Sequence, residues 1–156
     1  MINTPTRILV ADDTDEVRDM LVLILQARLN IPAEQIDAAS DGFEASDFLA
    51  KNSYKLVFTD NDMPGKTGVE LIREIRGNRD IHQPKIIMQS GDGDEVAQQA
   101  KVAGANAFIS KPATVMQIVA VYSAVTGDGV YRPASNDTQT QQPPKTDASG
   151  MDDPSP

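Results

Sequence analysis

Short apolar runs alternate with longer segments of helical periodicity along most of the chain. The runs have the length of buried strands, which are predicted at residues 8–11, 36–39, 56–59, 85–88 and 107–110. Between and after them, apolar residues recur at helical spacing, which predicts helices at 16–29, 42–51, 68–76, 95–102 and 114–125. A strand followed by a helix therefore repeats five times.

This repetition predicts a doubly wound α/β fold. Consecutive parallel strands need crossover connections, these are right-handed, and helices consequently cover both faces of the sheet. In such a sheet the functional crevice lies at the carboxyl ends of the strands, where the strand order reverses. The residues that follow each strand are therefore the candidates for chemistry.

Two predicted helices carry clear local signals. In the first helix, one face is expected to pack on the sheet, and it consists of Val17, Met20, Leu21, Ile24 and Leu25. Asp13 or Thr14 can cap the start of this helix. The sequence from Thr67 to Glu70 resembles a capping box at the start of the third helix.

Composition separates a folded part from a polar tail. The chain has 156 residues, 40% of them hydrophobic, so residues 5–126 can form one domain with its own core. Residues 127–156 hold five of the ten prolines among Gln, Thr, Ser and Asp. We expect a disordered acidic tail there, too short and too polar to be an effector domain.

The charge and the residue types exclude several classes of function. A net charge of -9 repels phosphate backbones and anionic lipids, which argues against binding to nucleic acids or membrane surfaces. The absence of cysteine excludes disulfides, thiolate zinc sites and cysteine catalysis. No apolar run approaches the roughly 20 residues that cross a bilayer, and residues 1–5 lack the features of a secretory signal. The expected location is the cytoplasm.

Charged and polar side chains follow four of the predicted strands. Asp12 and Asp13 come after the first strand, Asp60 after the third, Ser90 after the fourth and Lys111 after the fifth. Because neighbouring strands lie about 4.8 Å apart, these groups are expected to share one pocket. Three carboxylates without His or Cys favour a hard cation, and Mg²⁺ leaves room for phosphate oxygens. The set predicts phosphoryl transfer to an aspartate.

Together these residues resemble the receiver domain of two-component response regulators. The resemblance rests on Asp12-Asp13, on Asp60 followed by Met63-Pro64-Gly65, on Ser90 and on Lys111-Pro112, and it covers residues 5–126. It implies a flavodoxin-like receiver fold, in which five parallel strands in the order 2-1-3-4-5 are flanked by five helices. It also implies a stand-alone, chemotaxis-regulator-like signalling protein and a cis peptide bond before Pro112.

The resemblance assigns roles to the acidic residues. Asp60 is implied as the phosphoacceptor and as a ligand of Mg²⁺. Asp13 is implied as a direct ligand of the metal with Asp12 assisting, and the backbone carbonyl of Asp62 completes the protein's share of the ligands. The implied phosphodonor is a histidine kinase or a histidine phosphotransfer protein.

The resemblance also implies a switch. Lys111 is implied to pair with the phosphoryl group, and Ser90 to bind it after moving inward. Phe108 is implied to turn inward with Ser90 and so change the surface of the fourth helix, fifth strand and fifth helix for a downstream protein target. The protein is expected to be a monomer or a phosphorylation-dependent dimer, and the acidic loop 91–94 is expected to be mobile.

Other functions remain open at this point. Asp60-Asn61-Asp62 superficially resembles the paired aspartates of haloacid-dehalogenase-like phosphohydrolases, with Asp60 as nucleophile and Asp62 as acid or base, but that assignment leaves Asp12 and Asp13 unexplained. A binding module that has lost phosphorylation requires Asp62 to be harmful. In a receiver, the Asp62 carboxylate either speeds hydrolysis of the acyl phosphate, repels the phosphodonor or is merely solvated.

Overall fold

The computed structural model describes residues 4–128 of the chain. Its strands are β1 (Arg7–Ala11), β2 (Ile36–Ala39), β3 (Tyr54–Thr59), β4 (Lys85–Ser90) and β5 (Ala107–Ser110). Its α-helices are α1 (Asp15–Leu29), α2 (Gly42–Lys51), α3 (Gly68–Gly77), α4 (Asp94–Ala103) and α5 (Val115–Thr126), and a short 3-10 helix, Ala33–Gln35, precedes β2. The predicted tail lies outside the described residues from residue 129 onward.

The five strands form one parallel sheet in the order β2-β1-β3-β4-β5, so the predicted fold is confirmed. The chain runs from β1 outward to β2 and then returns across β1 to β3, which is where the strand order reverses. Ala11 pairs with Thr59, and Ser90 pairs with Ser110. The strands therefore end side by side, and the residues that follow them meet at one edge.

The sheet is buried on both faces, as parallel sheets with helical crossovers usually are. In β3, Leu56 and Phe58 belong to the core that packs against α1 and α5, whereas Val57 belongs to the core under α2, α3 and α4. All three side chains are fully buried. Close packing on both sides leaves the strand ends little freedom to shift.

Asp37 of β2 forms an ion pair with Arg7 of β1 and accepts a hydrogen bond from Tyr54 of β3. Arg7 donates to both carboxylate oxygens of Asp37, at 2.8 Å to Oδ1, and the Tyr54 hydroxyl donates to Oδ2 at 2.6 Å. Burial raises the pKa of Asp37, but the hydrogen bonds from Arg7 and Tyr54 outweigh it and hold the pKa below its ordinary value. Ionised Asp37 therefore stabilises the fold.

Three local predictions were wrong. Strand β3 begins at Tyr54 instead of residue 56. Strand β4 continues through Ser90 instead of ending at residue 88, because Gln89 and Ser90 pair in register with Ile109 and Ser110 of β5. Met20 was expected on the packed face of α1, but its side chain is 38% exposed. It stands at the border of the buried stripe, which consists of Leu21, Ile24, Leu25 and Leu29.

The helix starts follow the capping predictions in part. Thr67 and Glu70 form the predicted capping box, with hydrogen bonds of 3.1 and 2.8 Å between each side chain and the other's backbone N–H. Thr14 occupies the N-cap position of α1, but its side chain makes no capping hydrogen bond. Between residues 4 and 128, every helix is too short or too polar to span a bilayer.

Candidate functional site

The carboxyl ends of β1, β3 and β5 bring three aspartates and a lysine together. Asp12, Asp13 and Asp60 each offer a carboxylate oxygen, and these oxygens lie within 4.8 Å of one another. The Nζ atom of Lys111 lies 3.1 Å from Oδ2 of Asp12 and 3.4 Å from Oδ1 of Asp60. The structure thus assembles the acidic pocket from residues that are up to 99 positions apart in the chain.

Burial and hydrogen bonds fix two of the carboxylates and leave the third open. Asp12 and Asp60 are only 1% and 6% exposed, whereas Asp13 is exposed. Oδ1 of Asp12 accepts a hydrogen bond from the backbone N–H of Thr14 at 2.9 Å. Oδ1 of Asp60 accepts one from the backbone N–H of Asn61 at 2.8 Å. Solvent therefore reaches the pocket on the side of Asp13.

Hydrogen bonds with β1 and α3 fix the backbone at Asp60 and Asn61. The N–H of Asp60 donates to the carbonyl of Ala11 at 2.9 Å, which continues the pairing of β3 with β1. Asn61 accepts from the N–H of Gly68 through its carbonyl at 2.9 Å and from the N–H of Val69 through its side chain at 3.1 Å. A Cβ atom on Gly68 would lie 2.2 Å from the carbonyl oxygen of Asp60. Only glycine allows α3 to approach the site this closely.

The charges of the pocket do not balance. Burial raises the pKa of Asp60, the negative charge of Asp12 raises it further, and Lys111 offsets these effects only in part. Burial lowers the pKa of Lys111, but its hydrogen bond to Asp12 and the charges of Asp12 and Asp60 outweigh burial and raise this pKa above its ordinary value. Lys111 is therefore an ammonium that contacts Asp12 and Asp60, and the pocket holds one positive charge against three carboxylates.

This donor set suits a hard divalent cation. The ligand atoms that meet are carboxylate oxygens, with neither imidazole nor thiolate among them. Mg²⁺ prefers such oxygens and keeps part of its coordination shell for water or phosphate. The exposed carboxylate of Asp13 provides the side from which an ion can enter.

Ser90 lies at the end of β4, where its hydroxyl bonds to the following loop. The side chain is 1% exposed, its O–H donates to Oδ2 of Asp92 at 3.0 Å, and its oxygen accepts from the backbone N–H of Asp92 at 3.1 Å. The side-chain amide of Asn61 also lies 3.4 Å from Oδ2 of Asp92. Sequence reasoning did not find Asp92, although a hydroxyl two residues before an aspartate is a known turn spacing.

The remaining predicted site residues lie around the pocket. Phe108, in β5, is half-buried against the core beneath α2, α3 and α4, and it lines an open groove of about 430 Å³ beside α4. Asp62 is exposed in the loop that follows Asp60. The peptide bond between Lys111 and Pro112 is cis, as the resemblance implied.

The model of the response regulator receiver domain matches residues 8–123 of the chain. The chain belongs to this family. It is 30% identical over 115 residues to the chemotaxis protein CheY-3 of Vibrio cholerae, with 73% of this chain and 86% of that relative covered. It is 28% identical over 122 residues to a probable chemotaxis protein CheY of Rhizobium etli, with 78% and 92% covered.

Solved receivers share the whole fold. The structure of the chemotaxis response regulator CheY4 of Vibrio cholerae matches with a TM-score of 0.69 at 25% identity, covering 78% of this chain and 99% of that one. As a CheY-like receiver, the chain is a response regulator of two-component signalling rather than a general catalyst. The triad of Asp12, Asp13 and Asp60 is typical of the magnesium site of receivers.

Proposed function

We propose that this receiver is phosphorylated on Asp60 by a histidine kinase or a histidine phosphotransfer protein. The main support is the position of the Asp60 carboxylate, which is 6% exposed, lies 3.4 Å from the Lys111 ammonium and shares its pocket with two further carboxylates. The hydrogen bond from Asn61 and the contact with Lys111 both end on Oδ1. We therefore assign nucleophilic attack to Oδ2.

In the proposed transfer, Oδ2 of Asp60 forms a bond to phosphorus while the phosphorus–nitrogen bond of the phosphohistidine breaks. The electron pair of that bond leaves with the imidazole. Mg²⁺, held by Asp12, Asp13, Asp60 and the backbone carbonyl of Asp62, would neutralise negative charge on the phosphoryl oxygens. Lys111 supplies a second positive charge, because its ammonium already lies beside Oδ1 of Asp60.

The output is assigned to the surface around Phe108. Ser90 leaves its loop contact to donate to the phosphoryl group, and Phe108 fills the space that this movement opens. The groove beside α4, which Phe108 lines, then changes shape for a downstream protein target. In this proposal the regulator is a single-domain cytoplasmic protein, a monomer or a phosphorylation-dependent dimer, and neither nucleic acid nor membrane is a partner.

Intact-protein mass spectrometry with acetyl phosphate and Mg²⁺ tests the assignment of Asp60. The wild type is expected to gain a single phosphate, Asp60→Asn none, and the control Asp47→Asn, an exposed aspartate of α2, the same as the wild type. Phosphate incorporation that survives Asp60→Asn overturns the assignment. Many turnovers of a generic phosphate ester per protein molecule would instead favour the aspartate-nucleophile phosphohydrolase.

Asp62 is proposed as a modulator of the lifetime of the phosphoryl group. Its exposed carboxylate lies in the loop directly after Asp60, where it can accept a proton from the attacking water. The decay rate of phosphorylated Asp62→Asn is expected to be lower than that of the wild type, with Asp80→Asn, an exposed loop aspartate after α3, as the control. Rates of phosphorylation and of decay that are both unchanged assign Asp62 no role beyond its backbone carbonyl.

A further inference from the structure

We propose that Asp92 is a positioning residue that holds the Ser90 hydroxyl in the resting state and thereby limits how readily the site accepts a phosphoryl group. The inference rests on the proposed phosphorylation of Asp60. It assigns a role to the loop between β4 and α4, which the sequence predicted only to be mobile.

The Ser90 side chain has one hydrogen-bond donor, and a contact with Asp92 already uses it. A serine hydroxyl carries a single O–H, and in Ser90 this proton is donated to Oδ2 of Asp92 at 3.0 Å. The backbone N–H of Asp92 returns a hydrogen bond to the Ser90 oxygen at 3.1 Å, which closes a small ring. Because Ser90 is only 1% exposed, its hydroxyl has little access to solvent while these contacts hold. The donor that a phosphoryl group needs is therefore already engaged.

Under the proposed function, two anions compete for the Ser90 hydroxyl. The Asp92 carboxylate and a phosphoryl group on Asp60 both accept charge-assisted hydrogen bonds, so they compete for the same proton on near-equal terms. Asn61, the residue after the phosphoacceptor, strengthens the resting arrangement because its amide lies 3.4 Å from the same oxygen of Asp92. Phosphoryl binding must break this arrangement before Ser90 can turn.

The Asp92 carboxylate can release Ser90 without a large energetic cost. Asp92 is exposed, so its charge is solvated once Ser90 has moved, and no buried charge is left behind. The contact between Asp92 and Ser90 thus stabilises the resting state but still allows Ser90 to move. Asp92 is expected to act through Ser90 and not through its negative charge alone.

The rate at which acetyl phosphate labels the full chain in the presence of Mg²⁺ tests this role. Asp92→Ala removes the acceptor and is expected to raise the initial rate about tenfold, the effect of one charge-assisted hydrogen bond. Asp92→Asn keeps an acceptor oxygen and is expected to give a smaller increase. Asp94→Asn removes an exposed carboxylate at the start of α4 and is expected to change the rate less than about twofold.

A second background separates the hydrogen bond from the charge. In Ser90→Ala, the further change Asp92→Ala is expected to have no effect, because the hydroxyl on which it acts is gone. An equal increase in both backgrounds, or an equal increase for Asp94→Asn and Asp92→Asn, overturns the inference. An unchanged rate for Asp92→Ala, with the wild type labelled on Asp60, overturns this inference alone. A wild type that is not labelled on Asp60 overturns the proposed function as well.

Discussion

Replacing Asp60 by Asn is expected to stabilise the protein when no divalent cation is present. The amide has the same shape as the carboxylate and can still accept the hydrogen bond from the backbone N–H of Asn61, which is 2.8 Å long. What the substitution removes is a negative charge that is buried beside two others. The expected change is therefore electrostatic.

The distances in the pocket set the size of the effect. At the 4.8 Å that bounds the carboxylate separations, two unit charges repel by about 3.5 kcal/mol at an effective dielectric constant of about 20. Asp12 and Asp13 together thus oppose ionised Asp60 by about 7 kcal/mol before solvent screens the exposed Asp13, and Lys111 at 3.4 Å returns about 5 kcal/mol on the same scale. With the cost of burial added, Asp60→Asn is expected to raise the free energy of unfolding by about 1–2 kcal/mol.

Thermal unfolding in EDTA, followed by circular dichroism, measures this effect. A gain of this size corresponds to a rise in Tm of about 4–8 °C for a domain of this length. Asp47→Asn, in the exposed part of α2, is the control and is expected to change the unfolding free energy by less than about 0.5 kcal/mol. Added Mg²⁺ is expected to stabilise the wild type more than Asp60→Asn, because it binds the folded state.

The stability difference between the wild type and Asp60→Asn is expected to depend on pH. Because the pKa of Asp60 is raised in the folded protein, its proton favours folding at low pH, and this contribution is lost as the pH rises through the raised pKa. The stability difference between the wild type and Asp60→Asn should therefore vanish in acid and be fully present at neutral pH. A lower Tm for Asp60→Asn in EDTA at neutral pH would refute the electrostatic reasoning.

Three further substitutions, one of them with a matched control, test the packing and the ion pairs of the fold. Gln89→Met is expected to raise the free energy of unfolding by about 1 kcal/mol, because the buried Oε1 of Gln89 has no hydrogen-bond partner among the described residues; a loss of stability in urea titrations would contradict this. Gly68→Ala is expected to lower stability by about 1–3 kcal/mol and to slow phosphorylation, because its Cβ would lie 2.2 Å from a backbone oxygen of the pocket. The matched control is Gly77→Ala, whose Cβ would have no atom within 4 Å and which should raise stability by about 0.5–1 kcal/mol. Equal Tm values for Gly68→Ala and Gly77→Ala would count against the close packing of Gly68 on the Asp60 carbonyl. Asp37→Asn is expected to lose about 1–2 kcal/mol at neutral pH. Because the pKa of Asp37 is lowered in the fold, ionised Asp37 stabilises the protein above the ordinary pKa of 3.8, and this stabilisation is lost as the pH falls below that value. The unfolding free energy of Asp37→Asn should therefore depend less on pH in this range than that of the wild type. An equal dependence for both proteins would contradict this.

The architecture could be predicted because hydrophobic periodicity reports what an element buries. The central strands β1, β3 and β4 are buried on both faces and read as continuous apolar runs, so each was predicted within the bounds that the structure shows. For the edge strands β2 and β5 the predicted bounds coincide with the observed ones. The site residues followed from topology, since parallel strands end at one edge whatever their side chains are. Asp12, Asp60 and Lys111 therefore met where the sequence predicted.

The prediction failed where polar side chains take part in regular structure. Gln89 and Ser90 belong to β4, but periodicity could not reveal this because a backbone ladder does not depend on apolar side chains. Asp92 was interpreted as part of a mobile loop, since a flexible Gly-Asp sequence does not disclose which hydroxyl it binds. Side-chain hydrogen bonds depend on orientations that only the folded backbone defines.

The ion pairs of Lys111 couple the binding of an anion in the pocket to the binding of a divalent cation. The Lys111 ammonium lies 3.1 Å from Asp12 and 3.4 Å from Asp60 and is the counter-ion of both carboxylates. An anion that binds Lys111 therefore weakens both ion pairs. A divalent cation bound to the same carboxylates replaces the positive charge that they lose. The anion and the cation therefore raise each other's affinity for the pocket by the same factor, whichever binds first. Under the proposed function, the sensitivity of this regulator to its phosphodonor would therefore follow the supply of free magnesium around it.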